Sequence, residues 1–541
     1  MTPTPTARRR ARALMAALVL AIAAPASTAG AQGHPNPAVE FVSIPGSAPA
    51  GTFATALINS GDTFNGVTFE GIPDGLGIAP VDDGSQYVDI YVAFEQSHVP
   101  FSGFADHEDS SVQRARLDLE TMQIVKLKEM LPAKAGLIRF CSATMVGPAQ
   151  GFSDYTFLVN EESNDVLPVS ASQPYGADPG IAPYRQAGYS VWLDTKTGQF
   201  DTIPGAGRLN HENTVVVPGG WSGVVALTGD DTFSAPSSQL YMYSAASANA
   251  FKADAGSLWA FRVTSKNGVP VTATDPANDA NDYLEIGMAD TLGGSFIPVP
   301  GDYARGTHGG NPQTDLENWS NDNNVFQFVR VEDIAYDPDS PRTVYFTDTG
   351  TTRLKEVGSG RLARVGAMDW PYYDSDGRVF KMVLSAANPT LVESLTIVAQ
   401  GRLRIHEEVL PATDPRTETI TVLDAGVGFA NPDNLDVGHT SLMVQEDSAA
   451  DNDIWQNVLG SSDWDRVAST TQTTTAETSG IVDASAWLGE GWWVFDVQSH
   501  VNQEVFATNQ FYTTPITGVE IGPFTVRREL GQLLLLYVPG S

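Results

Sequence analysis

The chain contains a single cysteine, Cys141, among its 541 residues, so it is not a disulfide-stapled scaffold. Histidine is also scarce. Its eight copies are scattered, with no His-x-x-x-His and no Cys-x-x-Cys, which leaves tetrahedral zinc of the common kind without a ligand set. No Gly-x-Ser-x-Gly elbow, Walker loop, dinucleotide-binding glycine run or EF-hand loop is present. Positive charge is short as well: 31 Lys and Arg stand against 64 Asp and Glu, a formal charge of −33. That balance argues against nucleic acid and anionic membranes as partners. No apolar run is long enough to span a bilayer, and the late cluster Leu533 to Leu536 is a brief strand-like run.

What the chain does have begins with an export signal. Arg8, Arg9, Arg10 and Arg12 form a charged n-region, Ala13 to Ala24 an apolar core, and Ala29-Gly30-Ala31 a small-residue cleavage site. Residues 1–31 are therefore expected to be a signal peptide and residues 32–541 a single secreted domain, extracellular or periplasmic. The paired arginines also suit twin-arginine export of a folded, metal-loaded protein. Removing the leader costs four arginines and no acid. An anionic substrate would then have to be drawn in by local positive charge.

Beyond the leader, one unit recurs at least five times: an acidic or polar residue, a short apolar strand, a Gly/Pro/Asp turn, a second strand and a closing carboxylate. The copies run from Asp74 to Glu95, Cys141 to Glu161–Glu162, Glu212 to Asp230–Asp231, Glu332–Asp333 to Asp348, and Asp433–Asn434 to Glu446–Asp447. The two ends of a hairpin lie at the same sheet edge, so each unit brings its acids together. Clustered carboxylates repel one another and hold on to protons unless cations sit among them. An all-β fold follows, a six-bladed β-propeller with long inter-strand insertions, its sixth blade closing near Gly491 to Gln498. The insertions expected to be loop-like include Thr272 to Asn324, and a polar, Thr-rich stretch, Ser448 to Thr475, follows the fifth unit.

Single residues weigh less than their shared slot. A lone cysteine is most often an inert buried thiol, but Cys141 opens a unit whose other copies open with Asp or Glu. A thiolate among acids reads as a metal ligand, because neighbouring carboxylates would suppress its ionisation without a metal. Oxygen-rich ligation with one sulfur suits Ca²⁺ and a trivalent metal such as Fe³⁺. Arg330, two residues before Glu332, is either an ordinary ion-pair partner or a fork for phosphate oxygens. Glu212 and Asp433 would each pass for turn acids if taken alone.

Several pieces resemble the PhoX-type alkaline phosphatases, a family of secreted bacterial propeller enzymes: Pro73-Asp-Gly-Leu-Gly77 followed by Ala93-Phe-Glu95, the Cys141 segment followed by Asn160-Glu-Glu162, Gly207-Arg-Leu-Asn-His-Glu212, Arg330-Val-Glu-Asp-Ile334, Asn431-Pro-Asp-Asn-Leu435 and Phe495-Asp-Val-Gln498. They run in the family's order over most of the mature chain. The resemblance implies a six-bladed propeller with a cluster of Fe³⁺ and Ca²⁺ that hydrolyses phosphate monoesters. It implies Cys141, Glu212 and Glu332 as metal ligands, Glu162 and Asp433 completing the set, and Arg330 as the phosphate-binding residue. The first-blade ligands and the choice between Glu161 and Glu162 stay open, because this chain departs from the family at Ala93-Phe94-Glu95 and between Ser142 and Ser153. The expected substrates are small phosphorylated metabolites and the expected state is a monomer. Two rivals share the architecture: a Ca²⁺-dependent lactonase-like hydrolase, and a non-catalytic extracellular propeller stabilised by calcium.

Overall fold

The computed structural model describes residues 33–81, 86–95, 109–169, 175–232, 238–271, 286–350, 376–401, 404–406, 420–422, 428–448, 452–472, 476–513 and 520–541. Residues 1–31, expected to be a leader, lie outside them. Six antiparallel hairpins form the inner half of the molecule. They are β1 (Pro73–Pro80) with β2 (Tyr87–Phe94), β3 (Phe140–Val146) with β4 (Thr156–Glu161), and β5 (His211–Val216) with β6 (Val224–Asp230). The other three are β7 (Val331–Tyr336) with β8 (Thr343–Asp348), β9 (Pro432–Val437) with β10 (Ser441–Glu446), and β11 (Ala476–Asp483) with β12 (Trp492–Thr513). Two further antiparallel strands extend each unit outward, and Val42–Ser43 adds a third to the fifth. The strands β1, β3, β5, β7, β9 and β11 pack against one another in that order, and β11 meets β1 again. The sheets therefore radiate from a closed inner ring, which makes the fold an all-β propeller.

The second strand of each unit reads as apolar because both of its faces are covered. In β2, Val88, Ile90, Val92 and Phe94 pack with Leu57, Leu533 and Leu535 of the sixth unit. Tyr91 and Ala93, on the opposite face, pack with Phe157 and Val159 of the second. In β10, Leu442 and Val444 face the fourth unit while Met443 faces the sixth. Strand period two thus divides each run between two inter-blade cores.

The two ends of the chain meet in the sixth unit. Phe53–Asn59 pairs with Glu520–Tyr537, which pairs with β12, so the outermost strand comes from the N-terminal side. Ala56, Leu57 and Ile58 are fully buried there.

Two segments differ from the sequence expectation. Of the insertion read as a loop, residues 272–285 lie outside the described set, and the rest is structured. Leu292–Pro298 bridges the outer strands Ser257–Lys266 and Leu391–Gln400, fusing the third and fourth units into one sheet. Pro312–Asp322 is a helix with Pro in its first turn, where the missing N–H costs nothing. It lies over the second and third units, with the Gln313 N–H donating to Gln186 Oε1 at 3.1 Å and Ser320 meeting Tyr241 at 3.0 Å. Of the stretch after the fifth unit, residues 449–451 and 473–475 lie outside the described set, and the rest holds that unit's outer strands, Asp453–Val458 and Trp464–Thr470.

Candidate metal centre

Every inner strand carries an acid or the thiol at its second position: Asp74, Cys141, Glu212, Glu332, Asp433 and Glu477. In the first five units that residue sits in a register break. Pro73 pairs Phe94 and the next pair is Leu76 with Val92, which leaves Asp74 unpaired. Cys141, Glu212, Glu332 and Asp433 fall in the same gap of their own hairpins. In the sixth unit the break comes slightly later, between Thr478 and Ile481. A bulge of this kind turns one side chain out of the sheet's alternation, here at the top of the inner ring.

The residue two before the ring position is left-handed in four units: Ile72 (φ 42), Arg139 (φ 50), Arg330 (φ 62) and Asn431 (φ 52). Positive φ is costly for Ile and Arg, and strain of this kind concentrates at functional sites. Close approach between neighbouring strands is secured by glycine. A Cβ on Gly480 would lie 2.3 Å from the Asp74 carbonyl oxygen, and one on Gly75 would lie 2.3 Å from the Ala143 nitrogen.

A second ring follows from the hairpin geometry. One residue beyond each second strand stand Glu95, Glu162, Asp231, Thr349 and Asp447, with His500 in the corresponding place in β12. The two rings interlock. Cys141 Sγ is 2.7 Å from Glu162 Oε2, Thr349 Oγ1 donates to Glu332 Oε1 at 2.8 Å, and His500 lies 4.0 Å from Glu477. Three groups bring donor atoms within 4.8 Å of one another: Asp74, Glu95 and Cys141; Cys141, Glu162 and Glu212; Glu95, Glu477 and His500.

Burial and repulsion between acids dominate the electrostatics of the mouth. Burial, then Glu162, Glu95, Asp74 and Glu212, push the Cys141 thiol well above its usual range. Glu162 is pushed up to about 8, by burial first and then by Asp231 and Glu95 against the pull of Arg139. Burial and mutual repulsion hold Asp74, Glu212, Glu332, Asp433 and Glu477 well above the carboxylate range. Glu95 goes the other way: burial raises it, but Arg139 and His500 outweigh burial. Asp74 Oδ1 and Glu212 Oε2 are buried with no hydrogen-bond partner among the described residues. Oxygens and one sulfur, buried, crowded and partly orphaned, are a donor set for cations.

The ring places all five expected ligands, Cys141, Glu162, Glu212, Glu332 and Asp433, at one mouth. It also separates two residues the sequence left as alternatives. Glu161 points into the sheet, where Arg185 holds both its oxygens at 2.7 and 2.9 Å and the Ile138 and Tyr189 N–H groups donate to it. Glu162 faces the mouth instead. Arg330 is committed to acids, with Nε and Nη2 gripping Asp231 at 2.8 and 3.0 Å and Nη2 lying 3.1 Å from Glu332. Asp333, beside Glu332, is a tie between units, accepting from the Asn213 amide and, at 3.0 Å, from the Leu435 N–H.

Sequence reasoning missed Glu477, His500 and Arg139. Glu477 was hidden behind a threonine-rich stretch, although Glu-Thr-Ser-Gly occupies the slot of Asp-Gly in the first unit. Arg139 carried a visible signal, since it precedes Cys141 by two residues as Arg330 precedes Glu332.

A sequence model of the family Alkaline phosphatase PhoX matches residues 142–486. Among solved structures, Pseudomonas fluorescens PhoX in complex with vanadate, a transition state analogue, is similar at 15% identity, covering 94% of this chain and 98% of that one with a TM-score of 0.57. The PQQ-bound aldose sugar dehydrogenase of Streptomyces coelicolor is 12% identical over 90% of this chain and 99% of its own, with a TM-score of 0.30, too low to bear on chemistry. No curated protein sequence matches the chain.

Proposed function

Because the chain belongs to the alkaline phosphatase PhoX family, we propose that it hydrolyses phosphate monoesters of small metabolites at a metal cluster held by the two rings. The observation that carries this reading is the paired ring of buried acids with one thiol, a donor set whose mutual repulsion bound cations would relieve. Cys141, Glu162 and Glu212 would hold Fe³⁺, the hard trivalent ion that a mixed thiolate and carboxylate set suits. Asp74, Glu95, Glu332, Asp433 and Glu477 would complete the shell with Ca²⁺. When bound, such ions supply positive charge against the phosphoryl oxygens and activate a nucleophile.

The chain's own groups do the rest. Asp231 fixes the plane of Arg330 through two parallel bonds, and Arg330 presents its charge to the equatorial oxygens as they gain charge in the transition state. Asn210 Nδ2 holds Glu162 Oε1 at 3.1 Å and Thr349 holds Glu332, orienting both carboxylates. Export is part of the same proposal. It rests on the charged and apolar leader at residues 1–31, and among the described residues no helix is long and apolar enough to cross a membrane.

Purified protein loaded with Fe³⁺ and Ca²⁺ should hydrolyse p-nitrophenyl phosphate, stop on chelation, and resume when both ions are restored. A loaded protein that leaves the ester intact, or one that chelation does not affect, would refute the proposal.

A further inference from the structure

Two arginines stand at the mouth in equivalent places, and the structure shows that they are not equally occupied. Arg139 precedes Cys141 as Arg330 precedes Glu332, and both have left-handed backbones. Arg330 spends Nε and Nη2 on Asp231 and Glu332, and its side chain is 18% exposed. Arg139 uses one nitrogen only: Nη2 reaches Glu95 at 3.0 Å and Glu162 at 3.5 Å. Its Nε is buried without a partner among the described residues, and its side chain is 35% exposed. Among the described residues Arg139 thus has Nη1 uncommitted on the Cys141 side of the ring, next to Glu162, a member of the trio with Cys141 and Glu212.

We propose that Arg139 is a substrate-binding residue, a second guanidinium that receives a phosphoryl oxygen from the second unit's part of the mouth, two units away from Arg330. The physical case is donor supply. A guanidinium recognises phosphate with two adjacent N–H groups in a plane; Arg330 has given its Nε–Nη2 edge to Asp231, whereas Arg139 can offer its Nη1–Nη2 edge, on which only Nη2 is engaged among the described residues. Its two acidic neighbours hold it in place through a single nitrogen, so an incoming anion can bind without breaking both contacts. The proposal rests on the phosphatase reading, because it assigns a role at that same site.

The test is calorimetric binding of inorganic phosphate to metal-loaded wild type, Arg139→Gln and Arg139→Lys, alongside metal content and steady-state kinetics with p-nitrophenyl phosphate. The expected result is weaker phosphate binding and a raised KM in Arg139→Gln, on the order of tenfold to a hundredfold, with metal content unchanged and partial rescue in Arg139→Lys. Unchanged phosphate affinity in a metal-replete Arg139→Gln would overturn the inference. So would loss of metal from both variants, which would make Arg139 a support of the metal shell. If wild type itself neither binds phosphate nor hydrolyses the ester, the phosphatase reading fails first.

Discussion

At the residue scale, adjacent identical side chains have opposite duties. Glu161 and Glu162 differ only in where the register break falls, yet Glu161 is locked in a buried pair with Arg185 and Glu162 faces Cys141. Replacing Glu161 by Gln would leave the Arg185 charge buried without its partner, a loss of about 3–5 kcal/mol. Glu162→Gln should instead leave the stability of metal-free protein unchanged or raised, because it removes one of several repelling acids, while metal loading falls. Thermal melts and metal analysis of the two variants check the contrast. This distinction was not legible in the sequence: Asn-Glu-Glu offers two equivalent acids, and a bulge between Asn160 and Glu161 selects between them. The slot of Cys141, by contrast, was legible, because four other units opened with acids at the same point.

At the scale of elements, the hairpin is the device that builds the site. Each second strand is buried on both faces and so shows as a short apolar run, and this is why nearly all of these strands could be read from composition. The inner strands are polar where they bulge and gave weaker signals, so the break that aims each expected ligand was invisible. The helix Pro312–Asp322 was missed for a different reason. Its sequence is rich in Asn, Asp and Gln, and it is held by contacts such as that of Ser320 with Tyr241 rather than by propensity. Packing between hairpins yields a test. Gly480→Ala would place a methyl group 2.3 Å from the Asp74 carbonyl oxygen and 2.9 Å from Leu76. The first and sixth inner strands would have to separate, at a cost of roughly 1–3 kcal/mol, displacing Asp74 and Glu477 together. A lowered melting temperature with weakened metal binding is the expected pair of results; unchanged metal affinity would show that these two strands do not share the site.

At the scale of the whole molecule, the proposed metal site and the stability of the ring are linked. Glu162 is raised from 4.5 to about 8 in the folded, metal-free protein, and Asp74, Glu212 and Asp433 move in the same direction. The folded state then holds protons that the unfolded chain releases as pH climbs from 4.5 towards 8, so folding stability declines over that window. Metal-stripped protein should therefore lose melting temperature steadily between about pH 5 and 8. The loaded protein should show little of that slope, since cations replace the protons. Equal slopes with and without metal, in scanning calorimetry across the pH series, would mean that the mouth acids are not the ligands.

The central claim is that the single thiol of the chain joins a ring of acids around iron. The visible absorption spectrum of iron-loaded wild type beside Cys141→Ser tests it most directly. A thiolate bound to Fe³⁺ gives a charge-transfer band, so wild type should be coloured and the folded variant should lose that band. A variant with the wild-type spectrum, or a wild type that takes up iron and stays colourless, would contradict the account.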